Sequence, residues 1–142
     1  MEKNHDHKRR GWSKDQISRW FSAQSRNKVR DYQDIVSRLK KLPSNINIVE
    51  EYGRLSVDPD RYPLLCVSRN EAGAANPTVI ITGGVHGYEP SGIEAPLRFL
   101  ETEASKYSDI FNFVVFPCIS PWAYEHDHRW NNNAEDPNRK FV

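Results

Sequence analysis

The stretch TGGVHGYEP, residues 82 to 90, follows a short apolar run and places one histidine three positions before one glutamate. Imidazole nitrogen and carboxylate oxygen are both zinc donors, binding at about 2 Å, and a catalytic zinc site usually takes about three protein ligands plus water. A strand end leading into a helix can aim residues i and i+3 at one point, so His86 and Glu89 form a candidate metal-ligand pair. A plainer reading fits the same residues. Glu89 would decorate a helix N-terminus, where the dipole favours a carboxylate, and His86 would be a loop histidine. The spacing alone does not separate the two. Gly83, Gly84 and Gly87 would let the chain turn sharply and let a ligand approach the backbone.

A second constellation lies in the polar tail. Arg129 and Arg139 are ten residues apart, and Asn138 directly precedes Arg139. A guanidinium grips a carboxylate through two parallel hydrogen bonds, and a neighbouring amide can add a third. Taken alone, this too has a dull counterpart, a solvated arginine in a loop.

The elements that must position these residues follow from periodicity. Ser13 and Gln16 fit a capping box. Ile17, Trp20 and Phe21 continue it as one apolar helical stripe. A second helical pattern runs through Tyr32, Ile35, Val36 and Leu39 and stops before Pro43. From Ile46 the period changes: INIVEEYG and YPLLCVSRN read as strands joined by the turn VDPD, and EAGAANP, residues 71–77, as a loop. TVIITGG is a continuous β-branched run, expected to be a strand buried on both faces. Ile93, Leu97 and Leu100 mark a helix ending near Lys106, and FNFVVFPC is another buried strand. Strand, helix and strand within about 45 residues make a βαβ-like crossover and hence an α/β sheet. In such sheets ligands bind beyond the carboxyl ends of the strands, which is where His86 and Glu89 fall. Beyond Cys118 the chain loses apolar periodicity, and so long a polar tail after a core strand is expected to be a functional loop or an unfinished structure.

The totals set limits. The 142 residues suffice for one domain with a real core, and 37% hydrophobic with 27% charged residues is a soluble globular composition. No apolar run approaches the roughly 20 residues that span a bilayer, and no secretory signal is visible, so a cytoplasmic protein is expected. Cys66 and Cys118 make neither a disulfide framework nor a CxxC site; buried free thiols are expected. Net charge is near zero but unevenly spread: residues 1–41 carry 12 Lys/Arg against 5 Asp/Glu, and residues 42–142 carry 8 against 14. A basic segment can meet nucleic acid, but aromatics at helical spacing favour a helical face docked on an acidic body. Neither nucleic acid nor membrane is an expected partner. The chain lacks GxxxxGK[ST], GxGxxG and GxSxG, so nucleotide binding and serine hydrolysis have no local signature.

Jointly, GGVHGYE and RWNNNAEDPNRKF resemble the zinc metallocarboxypeptidases of the carboxypeptidase A/B type. That family's pattern is a strand ending in Gly-Gly or similar, then His-x-x-Glu, and later an arginine, an asparagine-rich turn and Asp-Leu-Asn-Arg-Asn-Phe. The resemblance covers about residues 46 to 142. It implies an α/β fold with a mixed sheet of the zinc-carboxypeptidase type, incomplete here and preceded by a short helical segment. It implies further that His86 and Glu89 bind Zn2+, that Arg129 polarises the scissile carbonyl, and that Asn138 and Arg139 hold the substrate's terminal carboxylate. The substrate would be a peptide, or an acylated amino acid, with a free carboxylate. Pro137 stands where the pattern has leucine.

The expected division is a disordered 1–11, a helical preface over 12–44 and the amino-terminal part of the α/β domain over 45–142. The family's third zinc ligand and its glutamate base come after the Asn-Arg motif. The 142 residues are therefore expected not to hydrolyse peptides alone, and their sheet to have an exposed strand edge. His126 and His128 precede the motif and are expected to be a surface loop pair. Two alternatives stand beside the peptidase: a deacylase of the aspartoacylase and succinylglutamate desuccinylase branch, and a noncatalytic carboxylate-binding remnant.

Overall fold

The structure, a computed structural model, describes residues 11–44, 47–69 and 75–140. The expected disorder of residues 1–11 and most of the loop at 71–77 lie outside the described residues.

Helix α1 spans Lys14–Gln24 and begins with the expected capping box: the Ser13 amide donates to Gln16 Oε1 at 2.8 Å, and the Gln16 amide to Ser13 Oγ at 3.3 Å. Trp20 and Phe21 turn toward the core. Helix α2, Tyr32–Lys40, is capped by Asp31 and buries Tyr32, Ile35, Val36 and Leu39, one stripe at helical spacing. Each such fully buried side chain is worth about 1.5–3 kcal/mol, so α2 is integral to the core. The basic segment is paired with acidic residues of the body. Arg38 spans from α2 to Glu94 and Glu101 at 2.8 and 2.9 Å, Lys28 reaches Glu125 at 2.6 Å, and Arg30 reaches Asp127 at 2.8 Å.

Four strands, β1 (Ile48–Arg54), β2 (Pro63–Arg69), β3 (Thr78–Thr82) and β4 (Asn112–Phe116), form one mixed sheet in the order β1-β2-β4-β3. The β1–β2 and β2–β4 pairs are antiparallel and β3–β4 is parallel. The register aligns Val49, Val67, Val115 and Ile81 in one row across all four strands, and this row faces the core cluster. The adjacent row, Ile48, Ser68, Val114 and Ile80, points the other way, with Ile48 53% and Ile80 67% exposed. The expectation that β3 is buried on both faces is therefore corrected. It is an edge strand whose inward residues alone are covered. An uninterrupted β-branched run signals double burial only where something packs on each face.

Helix α3, Ser91–Arg98, returns from β3 to β4. It continues as a π turn over Phe99–Glu103 and a 3-10 turn over Ala104–Tyr107, burying Ile93, Leu97, Leu100 and Ala104. Pro96 lies inside α3 and has no N–H to give the Gly92 carbonyl one turn back. That carbonyl instead accepts from the Gly84 amide at 3.1 Å, fastening the end of β3 to the helix. After β4, the short helix α4, Pro121–Glu125, is buried at every position. Cys66 and Cys118 are buried free thiols, as expected. Among the described residues no helix is long and apolar enough to cross a membrane.

Candidate metal and carboxylate site

The loop after β3 is laced to the segment after β4. Gly83 donates to Phe116, Ile119 to Gly83 and Ser120 to Gly84, at 2.8–3.0 Å, while Ser120 Oγ donates to the Val85 carbonyl at 2.8 Å. Tyr88 then donates from its backbone to the His128 carbonyl at 3.0 Å. Two glycines make this lacing possible. Gly84 has φ +62°, where side chains are strained, and a Cβ on Gly87 would lie 2.0 Å from the Ala123 carbonyl carbon. The close approach expected of a ligand is made by the protein itself, at Gly87 by the Ala123–Tyr124 backbone and at Gly84 mainly by the Ile93 side chain.

This fixes His86, which is buried, facing two carboxylates. Its Nε2 lies 2.9 Å from Asp136 Oδ1 and its Nδ1 lies 3.4 Å from Glu89 Oε1. Asp136 holds three groups at once. It takes the hydrogen bond from His86, one from Arg129 Nε at 3.0 Å to Oδ2, and one from the Asn138 amide at 3.0 Å. The His86 hydrogen bond, reinforced by Arg129 and the Asn138 amide, pushes the Asp136 carboxyl down to about 2. Asp136 is therefore an ionised acceptor, and Nε2 must carry the proton it accepts. In neutral His86 the Nδ1 lone pair then points at a carboxylate oxygen.

Two acceptors facing each other across 3.4 Å repel unless a cation or a proton lies between them. Zinc bound tetrahedrally at 2.0–2.1 Å holds adjacent donors about 3.3 Å apart, so the separation suits a metal ion. A carboxylate behind the distal nitrogen is the arrangement that orients a metal-bound imidazole. The donor pair thus fits zinc. Among the described residues, however, no set of three or more His, Cys, Asp and Glu groups could hold a metal.

The remaining predicted residues are gathered unequally. Arg129 joins the cluster through Asp136, and its Nη1 donates to Tyr88 Oη at 3.2 Å. These partners, Tyr88 first and then Asp136, raise its already high pKa, so it stays a fixed cation. Asn138 and Arg139 sit on a 3-10 turn, Pro137–Arg139, capped by Asp136 with Pro137 at its first position. Pro137 in place of leucine therefore suits the turn, since its missing N–H costs nothing there. Asn138 contacts the cluster through its backbone, and among the described residues the Arg139 side chain has no hydrogen-bond or ion-pair partner. Sequence reasoning missed Asp136 and Tyr88. The text Glu135-Asp136-Pro137 did carry a cap signal, an aspartate directly before a proline.

His126 and His128 are not the surface pair expected. His126 is buried, its Nδ1 2.7 Å from the Asn27 carbonyl and its ring 4.9 Å from Trp122. His128 packs against both Trp20 and Trp122, whose rings also meet at 5.7 Å. Both belong to an aromatic layer that joins α1 to α4.

No protein-family model matches the chain, and no curated protein matches it. Solved structures do. One from Shewanella amazonensis, assigned as a metallopeptidase, matches 75% of this chain at 25% identity and a TM-score of 0.65. A metallo-carboxypeptidase from Burkholderia cenocepacia matches 78% at 19% identity and a TM-score of 0.55. Carboxypeptidase A from Helicoverpa armigera matches 82% at 19% identity and a TM-score of 0.58. The chain spans only 39%, 31% and 34% of those three structures. The mixed sheet and its helices are those of the metallocarboxypeptidase fold.

Proposed function

We propose that this chain carries the first two zinc ligands and the carboxylate anchor of a zinc-dependent hydrolase that removes a C-terminal residue from a peptide. One observation carries the reading: His86 Nδ1 and Glu89 Oε1 face each other at 3.4 Å with Asp136 fixing the opposite nitrogen. His86 and Glu89 would hold the metal. A bound zinc ion would supply a water acidic enough to ionise near neutrality and a Lewis acid for the carbonyl.

The chain's own residues do the rest. Asp136 accepts from His86 Nε2, so in the neutral imidazole the proton sits on Nε2 and Nδ1 presents a lone pair. Arg129, gripped by Asp136 and Tyr88, brings a fixed positive charge beside the pair, where a developing oxyanion would be stabilised. Asn138 and Arg139 would hold the substrate's terminal carboxylate, and among the described residues the Arg139 guanidinium has no hydrogen-bond or ion-pair partner, as this role needs.

A noncatalytic carboxylate-binding protein is the second reading. It is favoured by the lack, among the described residues, of a third donor near the pair. Zinc affinity by competition with a chelating dye, followed by assay of an N-blocked dipeptide and an N-acyl amino acid, separates these readings. The expected result is zinc binding weakened at least tenfold by His86→Ala or Glu89→Gln, with no turnover by the 142 residues alone. Zinc binding no better than that of the double variant would leave only the carboxylate-binding reading. Turnover of the acyl amino acid but not the dipeptide would move the chemistry to the deacylases.

A further inference from the structure

Tyr88 stands in the sequence between the two candidate metal ligands, and both of its ends are tied to the segment after β4. Its backbone amide donates to the His128 carbonyl at 3.0 Å, and its hydroxyl oxygen accepts from Arg129 Nη1 at 3.2 Å. Between these ties its ring lies beside that of His86, with centroids 6.0 Å apart and planes inclined at 32°. The residue is nevertheless open to solvent. Tyr88 is 39% exposed, whereas the neighbouring His86 is 8% exposed.

The use made of the hydroxyl sets Tyr88 apart. A phenol has one hydrogen to donate and an oxygen that can accept. Tyr32 spends its hydrogen inside the fold, on the Pro63 carbonyl at 2.7 Å. Tyr88 accepts from a cation instead, and among the described residues its own hydrogen has no acceptor. A hydroxyl that accepts from a guanidinium becomes a better donor, because successive hydrogen bonds polarise one another. Arg129 is in a similar position. Its Nε and Nη2 are turned to Asp136 and its Nη1 to Tyr88, and a guanidinium carries more N–H groups than these contacts use.

We infer that Tyr88 is a further catalytic residue, its hydroxyl donating to the same substrate oxygen that the Arg129 guanidinium faces. The inference rests on the oxyanion-stabilising role proposed above for Arg129. Charge developing on that oxygen then meets a neutral donor and a cation together. Donors already fixed in place stabilise such charge without rearranging as it forms. Asp136 fixes the one, and the His128 carbonyl fixes the backbone of the other. The loop that presents His86 and Glu89 thereby presents the donor as well.

The test is binding of 3-phosphonopropanoate to the metal-free protein, read by calorimetry and phosphorus NMR, with propanoate as the control. The phosphonate imitates the tetrahedral centre, and its ethylene bridge places a carboxylate where the N and Cα atoms of a peptide place the terminal one. The phosphonate is expected to bind more tightly than propanoate. Tyr88→Phe should weaken it about tenfold, as loss of a hydrogen bond to a charged group implies, and leave propanoate unchanged. That loss should persist in the Arg129→Gln background, where no guanidinium remains to be held. Equal affinities for the phosphonate and propanoate, or a phosphonate affinity that Tyr88→Phe leaves intact, overturns the inference. A loss that vanishes in the Arg129→Gln background overturns it too, because the hydroxyl would then act only by positioning the guanidinium. Weakening by Arg129→Gln but not by Tyr88→Phe sinks the Tyr88 role alone. If Arg129→Gln itself changes nothing, the role of Arg129 fails and the inference falls with it.

Discussion

Two polar clusters, one around Glu125 and one around His86, are built on opposite principles. Around Glu125, every charge is matched. The carboxylate is fully buried, and it takes both Arg61 Nε and Nη2, at 3.1 and 2.8 Å, and Lys28 Nζ at 2.6 Å. Its backbone carbonyl accepts from the amides of Val29 and Arg30. Around His86, the outer nitrogen is matched by Asp136, while the inner one, in the neutral imidazole, faces Glu89 acceptor to acceptor. The first cluster is complete within the chain and ties the helical segment to the sheet. The second is complete only with something added. Where a folded chain leaves like groups facing each other in a rigid frame, a ligand site is the economical explanation.

The contrast can be broken most sharply at Glu125. Replacing it with alanine strands Arg61 and Lys28 beside a hole, and removing one partner of a buried ion pair costs about 3 kcal/mol. Urea unfolding should show that loss, and a change within about 0.5 kcal/mol would mean the cluster is ornamental. Acid probes the same difference more gently. Burial pushes the Glu125 carboxyl up, but the hydrogen bonds from Arg61 and Lys28 outweigh it and leave the group below its usual 4.5. A lowered folded value means that the unfolded chain binds more protons as pH falls, so stability present above about pH 4.5 is lost below it. Asp136 adds a second loss, between 3.8 and about 2. Burial also lowers the pKa of His126 from 6.5, so the decline begins near that pH. Glu125→Gln should flatten the slope below pH 4.5 without touching the part that begins near 6.5, as thermal unfolding across pH would show. The smallest effect on folding belongs to Asp136→Asn. It should lower stability less than Glu125→Ala does, yet weaken zinc binding about 10- to 100-fold because Nδ1 is no longer fixed as the acceptor. Unchanged zinc affinity would strip Asp136 of its orienting role.

Much of the frame was legible where local pattern and tertiary environment agree. The capping box of Ser13 and Gln16, the α2 stripe and the pairing of two β-branched runs through a helix were readable because each is set by residues a few positions apart. Other features depend on partners distant in the chain. Helix α4 has five residues, all buried, so it shows no alternation from which a buried face could be read. Glu125 is held by residues 64 and 97 positions away, and nothing near it in the sequence announces burial of a carboxylate. His126 and His128 looked polar and were placed at the surface, whereas His128 packs against both Trp20 and Trp122, and His126 against Trp122, so both imidazoles are packing groups. In the site, His86, Glu89 and Arg129 were named from motif text, but their coupling through Asp136 depends on a fold-back of 50 residues.

Pro96 has a bearing on how firmly the site loop is held. Because it cannot donate, the Gly92 carbonyl is left open for Gly84, so α3 and the end of β3 share a hydrogen bond that neither possesses alone. The His86–Glu89 loop between them is clasped again at Tyr88 by the His128 carbonyl. The donor pair is therefore held only where three separately coded segments close on one another. Its amides at Gly84 and Tyr88 should exchange with solvent only as slowly as the whole domain opens. Faster exchange there than in β4 would show the loop to be an independently opening unit.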